Sequence, residues 1–262
     1  MLRWLRLWKN WASLELASQM AYKWNFFLKF FGAITFGVIG PLIAILIYTN
    51  SKGIPGWSFE QFLLLTGLFS LASGLSAFFS MPMTFHTIEK VREGDYDVDL
   101  VRPMRPLSYA LATSTDLDQL AEILVGISVI AYVMPKLGLQ LAAANIAASL
   151  LLLLMAVVFF LSLNIIIAAF AFLFVKTYAL IDLFYEVAKV GKNPITAYGK
   201  TGSLLLTYVF PVGLAAFYPA QALFGVLSLA EILKLSLIAL GFLAFAITLW
   251  ELGIRKYQSA GG

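Results

Sequence analysis

The chain has 262 residues, of which 61% are hydrophobic and only 12% charged, with no cysteine and a single histidine. An ordinary soluble domain is about 45–50% apolar and about 25% charged, so an integral membrane protein is expected, and disulfide, thiol-nucleophile and sulfur-ligated metal chemistry are excluded. The formal charge of +4 is spread along the edges of apolar runs, which fits orientation in a bilayer and gives no basic surface for nucleic acid.

Residues 1–25 open with MLRWLRLWKNWASLELASQMAYKW. At 100° per residue Arg3, Arg6, Lys9, Asn10 and Ser13 share one face, and Trp4, Leu7, Trp8, Trp11 and Leu14 the other. This predicts an interfacial amphipathic helix with indoles at headgroup depth and basic groups toward anionic lipid. No short apolar core with a small-residue cleavage site is present, so no cleavable signal is expected.

The transmembrane part is expected to occupy 26–262. A hydrocarbon core of ~30 Å takes roughly 20 apolar helical residues, and runs of that kind fall at about 26–48, 59–83 and 118–134. Leu137 to Val175 contains no charged residue and would be about 58 Å long as one helix at ~1.5 Å per residue. It is read as two spans, 139–159 and 163–181, joined by a turn near Phe159 to Asn164. A last span is expected at 227–250. Six spans put every arginine (Arg3, Arg6, Arg92, Arg102, Arg105, Arg255) on the side of both termini and of the 84–117 loop, which the positive-inside rule makes cytoplasmic.

That loop, containing IEKVREGDYDVDLVRPMRP, gathers charge between two nearly uncharged stretches. TFHTIEKVRE has helical character and Gly94 fits a C-terminal stop. Asp95, Asp97 and Asp99 alternate with Tyr96, Val98 and Leu100, an extended pattern with one acidic and one apolar face. Arg102-Pro103 and Arg105-Pro106 end it with stiff dipeptides. A short, rigid, charged, amphipathic element between two spans suits docking onto another protein. The external region 182–226 is polar at first, then apolar but broken by Pro211, Gly213, Pro219 and Gly225. Such backbone is tolerated where it packs on protein or lines a cavity, which predicts short re-entrant helices; a full span at 203–226 is the alternative.

Catalytic candidates are few. His86 has no second histidine to share a metal and reads as a solvated surface group. Gly199-Lys200-Thr201 resembles the end of a phosphate-binding loop, but Pro194 stands where that loop requires glycine. Glu122, Asp182, Glu186, Glu231 and Lys234 all read as lying toward span ends, which argues against an ion-coupled carrier. Ser73, Ser76, Asn145, Ser149, Ser162 and Asn164 supply mid-membrane polarity, for interhelical hydrogen bonds or, chiefly at Asn145 and Asn164, for a weakly polar path. No metal site and no catalytic residue is expected.

Three stretches, LASQMAYKWNFFLKF, IEKVREGDYDVDLVRPMRPL and NPITAYGKTGSLLLTYVFPVGLAAFYPA, together resemble a permease of the type-2 ATP-binding-cassette (ABC) transporters, in particular the branch of six spans and about 260 residues. The resemblance implies an all-α polytopic permease of the cytoplasmic membrane of a prokaryote, exporting a hydrophobic or amphipathic molecule and lacking a catalytic site of its own. Glu89, Arg92, Glu93, Gly94, Asp95, Asp97, Asp99, Arg102, Pro103 and Arg105 would form a cytoplasmic coupling helix seated in a separate ATPase, present in two copies, which alone would bind ATP and Mg. Residues 1–25, with Arg3, Arg6, Trp4, Trp8 and Trp11, would lie beside it on membrane lipid. Pro194, Pro211 and Pro219 would shape an external gate, and a second copy or a related permease would complete a dimer. A non-transporting scaffold and an ion-coupled secondary carrier are the alternatives.

Overall fold

A computed structural model of the chain describes residues 2–139, 142–174 and 178–258, with the backbone alone at 2–4, 36 and 178–180. Helix α1 (Leu2–Ala21) ends at Tyr22, whose backbone leaves helical geometry, and α2 (Lys23–Asn50) follows at once. Helix α3 (Phe59–Glu93) starts in a capping box: Ser58 Oγ accepts from the Gln61 N–H, and the Gln61 side chain accepts from the Ser58 N–H. These two bonds satisfy donors that the first helical turn would leave orphaned. The helix stops at Gly94, whose φ of +80° is open to glycine at little cost.

With 35 residues and a rise of ~1.5 Å each, α3 outreaches a ~30 Å hydrocarbon core, so its last turns project beyond it. Short helices α4 (Asp97–Leu100) and α5 (Pro106–Ala112) follow, and then α6 (Leu120–Val133), with a 3₁₀ turn at each end. Helices α3 and α6 approach closely: a Cβ on Gly126 would sit 2.7 Å from the Leu71 nitrogen and 2.9 Å from the Gly67 oxygen. Small residues are what permit such contact between membrane helices.

Helix α7 (Ala143–Ala171) is continuous. The stretch expected to hold two spans with a turn near Phe159 to Asn164 is one helix, for a local reason. No glycine or proline interrupts it, and Asn164, the residue best able to stop it, donates Nδ2 back to the Phe160 oxygen at 3.2 Å and across to Ser80 Oγ at 2.9 Å. A helix longer than the hydrocarbon core is accommodated by tilt or by projection into the interface.

Helix α8 (Tyr178–Lys189) begins level with the end of α7: Ile181 packs with Ile167, Ala171 and Ile88. Further along, the Tyr185 hydroxyl donates to Asn164 Oδ1 at 2.6 Å, Gly191 lies against Val212 and Ala215, and Thr196 Oγ1 accepts from Trp57 Nε1 at 3.3 Å. Residues 181–196 therefore run the length of α3, from Ile88 near its end to the turn before its start.

From there α9 (Gly199–Leu204) leads into a wider turn, Leu205–Val209, in which the Phe210 N–H reaches back five residues to the Leu205 oxygen. Phe210 touches Phe159, Phe184 and Phe242 at mid-depth. The chain reverses at Pro211 and returns through α10 (Phe217–Leu223) to Trp57, against which Phe217 and Phe224 pack. Residues 203–226, expected as re-entrant helices, form a hairpin within the protein that turns at Pro211 and returns to Trp57, the residue that also meets Thr196. Helix α11 (Leu229–Lys256), opened by the Ser228/Glu231 capping box, ends where Trp250 packs on Phe172 and Tyr257 on Tyr96.

Among the described residues, five helices are long and apolar enough to cross a membrane: Lys23–Asn50, Phe59–Glu93, Leu117–Leu137, Ala143–Ala171 and Leu229–Lys256. In their most apolar windows α3 is 67% and α7 61% buried inside the protein, against 6% for α2. The first two form the core, and α2 presents apolar side chains outward, as a lipid-facing helix does.

Candidate functional site

The charged loop closes on one buried carboxylate. Asp99 is 5% exposed and accepts from Lys90 Nζ at 2.7 Å and from Arg102 Nε at 3.2 Å. Arg102 also stacks over the Tyr109 ring, 4.3 Å from its centroid. A carboxylate can be buried this way because two cations compensate the lost hydration. Residues 97–100 are consequently a helical turn, and the expected extended strand with an acidic face is not formed. Asp99 points inward and Tyr96, 1% exposed, wedges edge-on between Phe172 and Tyr257. Burial first, then the charge of Asp99, pushes the Tyr96 phenol far above its ordinary value.

The outer surface of the loop is what remains. Glu89, Arg92, Glu93, Asp95, Arg102, Pro103 and Arg105 are exposed, Gly94 and Asp97 half-buried. Three apolar residues stand among them, Val98 at 56%, Leu100 at 36% and Val101 at 83% exposure. The sequence pattern did not single out Val101, because it belongs to no alternation; its signal is that an aliphatic side chain adjoins Arg-Pro in an otherwise charged stretch.

The loop is also bonded into α3 at a defect. Pro82 has no N–H to give the Phe78 oxygen, four residues earlier. That oxygen instead accepts from the Asp116 N–H at 3.0 Å, and the Met83 N–H donates to Ser114 Oγ at 3.0 Å. Residues immediately after α5 thus occupy the broken rung of the membrane helix before the loop. Helix α1 flanks this region: Trp8 packs on Phe79 at 6.1 Å, Trp11 borders a small cavity with His86, Lys90 and Asp99, and Arg6 is exposed. The side chains of Arg3 and Trp4 lie outside the described residues.

Pro194 precedes the hairpin and Pro211 stands at its turn; both, like Pro219 in α10, are buried. Asn145 lies beside Gly225 at the hairpin's exit. Asn164, expected as a possible pathway group, is 3% exposed and bound to Ser80, Phe160 and Tyr185. It ties α7 to α3 and α8 and offers nothing to a passing molecule.

One feature of the interior escapes the sequence. Glu122, read as lying at a span end, accepts from Ser73 Oγ at 2.7 Å, and Ser73 is the fifteenth residue of α3. Lys192, read as external, places Nζ 5.0 Å from the centroid of the Phe69 ring. Both line one cavity between α2, α3 and α6. Nothing in the sequence joins positions 122 and 192; only the breaking of the helical path after Lys189 brings the lysine to this depth. Among the described residues no group of three or more His, Asp or Glu side chains is placed to hold a metal ion.

An all-α bundle of apolar spans with a charged, internally braced loop and a hairpin turning at Pro211 defines a polytopic membrane protein. The family model described as ABC-2 family transporter protein matches residues 37–261, and the chain belongs to that family. No curated protein and no solved structure matches it.

Proposed function

We propose that this ABC-2 permease is the membrane subunit of an ATP-driven exporter of a hydrophobic or amphipathic molecule in a prokaryotic cytoplasmic membrane. A separate ATPase, in two copies, seats on the 84–117 loop and is the component that binds ATP and Mg. The observation that carries this reading is the Asp99 clamp together with the Ser114 and Asp116 bonds to α3. A loop held this firmly moves with the helix, so a push on its exposed face is delivered to the membrane. Val98 and Val101, exposed in the same stretch as Glu93, Asp95 and Arg105, supply apolar surface among charges, the usual make-up of a protein contact.

Six crossings are part of the proposal. The five long spans are joined by a sixth path along residues 178–196, which leaves both termini and the coupling loop on the cytoplasmic side, as the arginines require. The weakly buried faces of α2, α6 and α11 leave room for a second copy or a related permease.

The test is purification of the tagged protein in mild detergent, with mass spectrometry of what remains bound and ATP hydrolysis measured on the same fraction. Co-purification of a nucleotide-binding subunit is expected, with loss of it in the double variant Val101→Asp, Arg105→Glu. These two side chains point away from the fold, so the variant should elute and melt as the parent does. Purification of the protein alone, or retention of the ATPase by the variant, would overturn the docking assignment.

A further inference from the structure

The cavity between α2, α3 and α6 has a volume of about 290 Å³, at the lower end of the ~300–1,000 Å³ range of small-molecule sites. Its lining is unusual for membrane depth. Asp118, Glu122 and Lys192 all face it, with Gln119, Thr66 and Ser70. Charged groups inside a membrane protein are costly and mark functional positions unless they neutralise one another directly.

Here they do not. Asp118 is 3.6 Å from Lys29 through Oδ2, while its Oδ1 is buried with no hydrogen-bond partner. Glu122 has Ser73 as its hydrogen-bond donor. Lys192 has the Phe69 ring under its ammonium. Among the described residues, no ion pair within 4.0 Å joins Lys192 to any carboxylate. The cavity lining therefore carries an ammonium, Lys192, and two carboxylates, Glu122 and the Lys29-paired Asp118. A purely anionic guest would meet the carboxylates, and a purely cationic one would meet Lys192. A guest carrying both signs satisfies both sides at once.

The α2 side of the gap is built from small residues, Ala33, Gly37 and Gly40, and a Cβ at Gly40 would meet nothing within 4 Å. Helix α2 is also the span with the least cover from the rest of the protein. The wall nearest the lipid is thus the thinnest.

We propose that this cavity binds a zwitterionic head group, its anionic phosphate or carboxylate against Lys192 and its ammonium against Glu122 and Asp118. The inference deepens the export reading by naming a substrate class; it rests on that reading only in calling the ligand a substrate, since binding needs no ATPase.

The experiment is native mass spectrometry of the delipidated permease titrated with three probes: phosphatidylethanolamine, phosphatidylglycerol with the same acyl chains, and soluble phosphoethanolamine. Phosphatidylethanolamine is expected to bind at least about tenfold more tightly than phosphatidylglycerol. Competition by phosphoethanolamine would identify a site for the free head group as well; no competition would restrict it to the intact lipid. Lys192→Met and Glu122→Gln should each abolish the preference, and Lys192→Arg should keep it. Gly40→Leu removes no charge and fills open space, so it should fold normally and lose binding. Equal binding of the two lipids by the unaltered protein would overturn the proposal without any variant, as would retained preference in Gly40→Leu. Lipid preference without a co-purifying ATPase would leave the site standing and sink the exporter reading; the reverse result would do the opposite.

Discussion

Single residues in this protein divide into those that hold elements together and those left wanting a partner. Asn164 is of the first kind: it receives Tyr185 and reaches Ser80 and the Phe160 carbonyl, so Asn164→Ala leaves the Tyr185 hydroxyl without its acceptor in a buried place and removes a donor from Ser80. Interhelical hydrogen bonds in membranes average about 0.6 kcal/mol and unsatisfied buried groups cost about 1–3 kcal/mol. A loss of about 1–3 kcal/mol is expected, read as a lower melting temperature in detergent. Tyr96 is of the second kind, because its hydroxyl is buried without a hydrogen-bond partner. Tyr96→Phe should therefore melt at the same temperature or higher. The pH dependence follows from the same burial. The folded phenol titrates above its unfolded value of about 10, so its contribution is complete below that pH and is lost as pH rises through the folded value. An absorbance titration at alkaline pH should show one fewer phenolate in Tyr96→Phe only once the loop unfolds.

At the scale of elements, the interruptions matter more than the helices. Pro82 opens a rung in α3 that Ser114 and Asp116 fill from the far end of the coupling loop. Ser114→Ala leaves the Met83 N–H unpaired, at about 1–3 kcal/mol, and should lower transport-coupled ATPase activity more than ATPase binding, since the docking face is untouched. Gly126→Leu tests the α3–α6 contact. Its side chain would collide with backbone at Leu71 and Gly67, so folded yield should fall sharply, whereas Gly241→Ala, with nothing within 4 Å, should behave as the parent does. The sequence made some of these elements legible and hid others. The stop at Gly94 could be read because glycine at a helix end has one physical meaning, whereas the continuity of α7 could not. A length rule alone divided that run, and the bond from Asn164 back to Phe160 is invisible without coordinates. The aspartate alternation misled for a related reason. Period two describes a strand only if no partner turns one member inward, and Lys90 and Arg102 turn Asp99.

For the whole molecule, the sequence reading expected six apolar spans, whereas five helices among the described residues are long and apolar enough to cross, and the sixth crossing we propose is of another character. Residues 178–196 carry Asp182, Glu186, Lys189 and Lys192, which no window would assign to lipid, yet their partners on α3 and α7 extend from Ile88 to Trp57. Because the chain has no native cysteine, single cysteines can check the arrangement directly. A cysteine at Lys200 should react with an impermeant maleimide added outside intact cells, and one at Gln258 only after permeabilisation. Labelling at Gln258 from outside with Lys200 protected would replace six crossings with five. The charge cluster at Glu122 and Lys192 was out of reach for the same reason as the sixth crossing: depth is a property of the packed bundle, and a lysine between Gly191 and Pro194 reads locally as a surface turn.

The crossing we propose for residues 178–196 also implies an order of events during synthesis. A lone helix carrying Asp182, Glu186 and Lys189 would pay about 2.5–3.5 kcal/mol for each charged residue placed at a bilayer centre, so α8 has no means of inserting by itself as it leaves the ribosome. Its resting place is made by Asn164 and Phe170 on α7, already in the membrane, and by Phe242 on α11, which is translated later and closes over Phe210. Maturation of this permease is therefore a delayed step, completed only when its last helix arrives, and a chain truncated before α11 should be a substrate for membrane quality-control proteases rather than a smaller transporter.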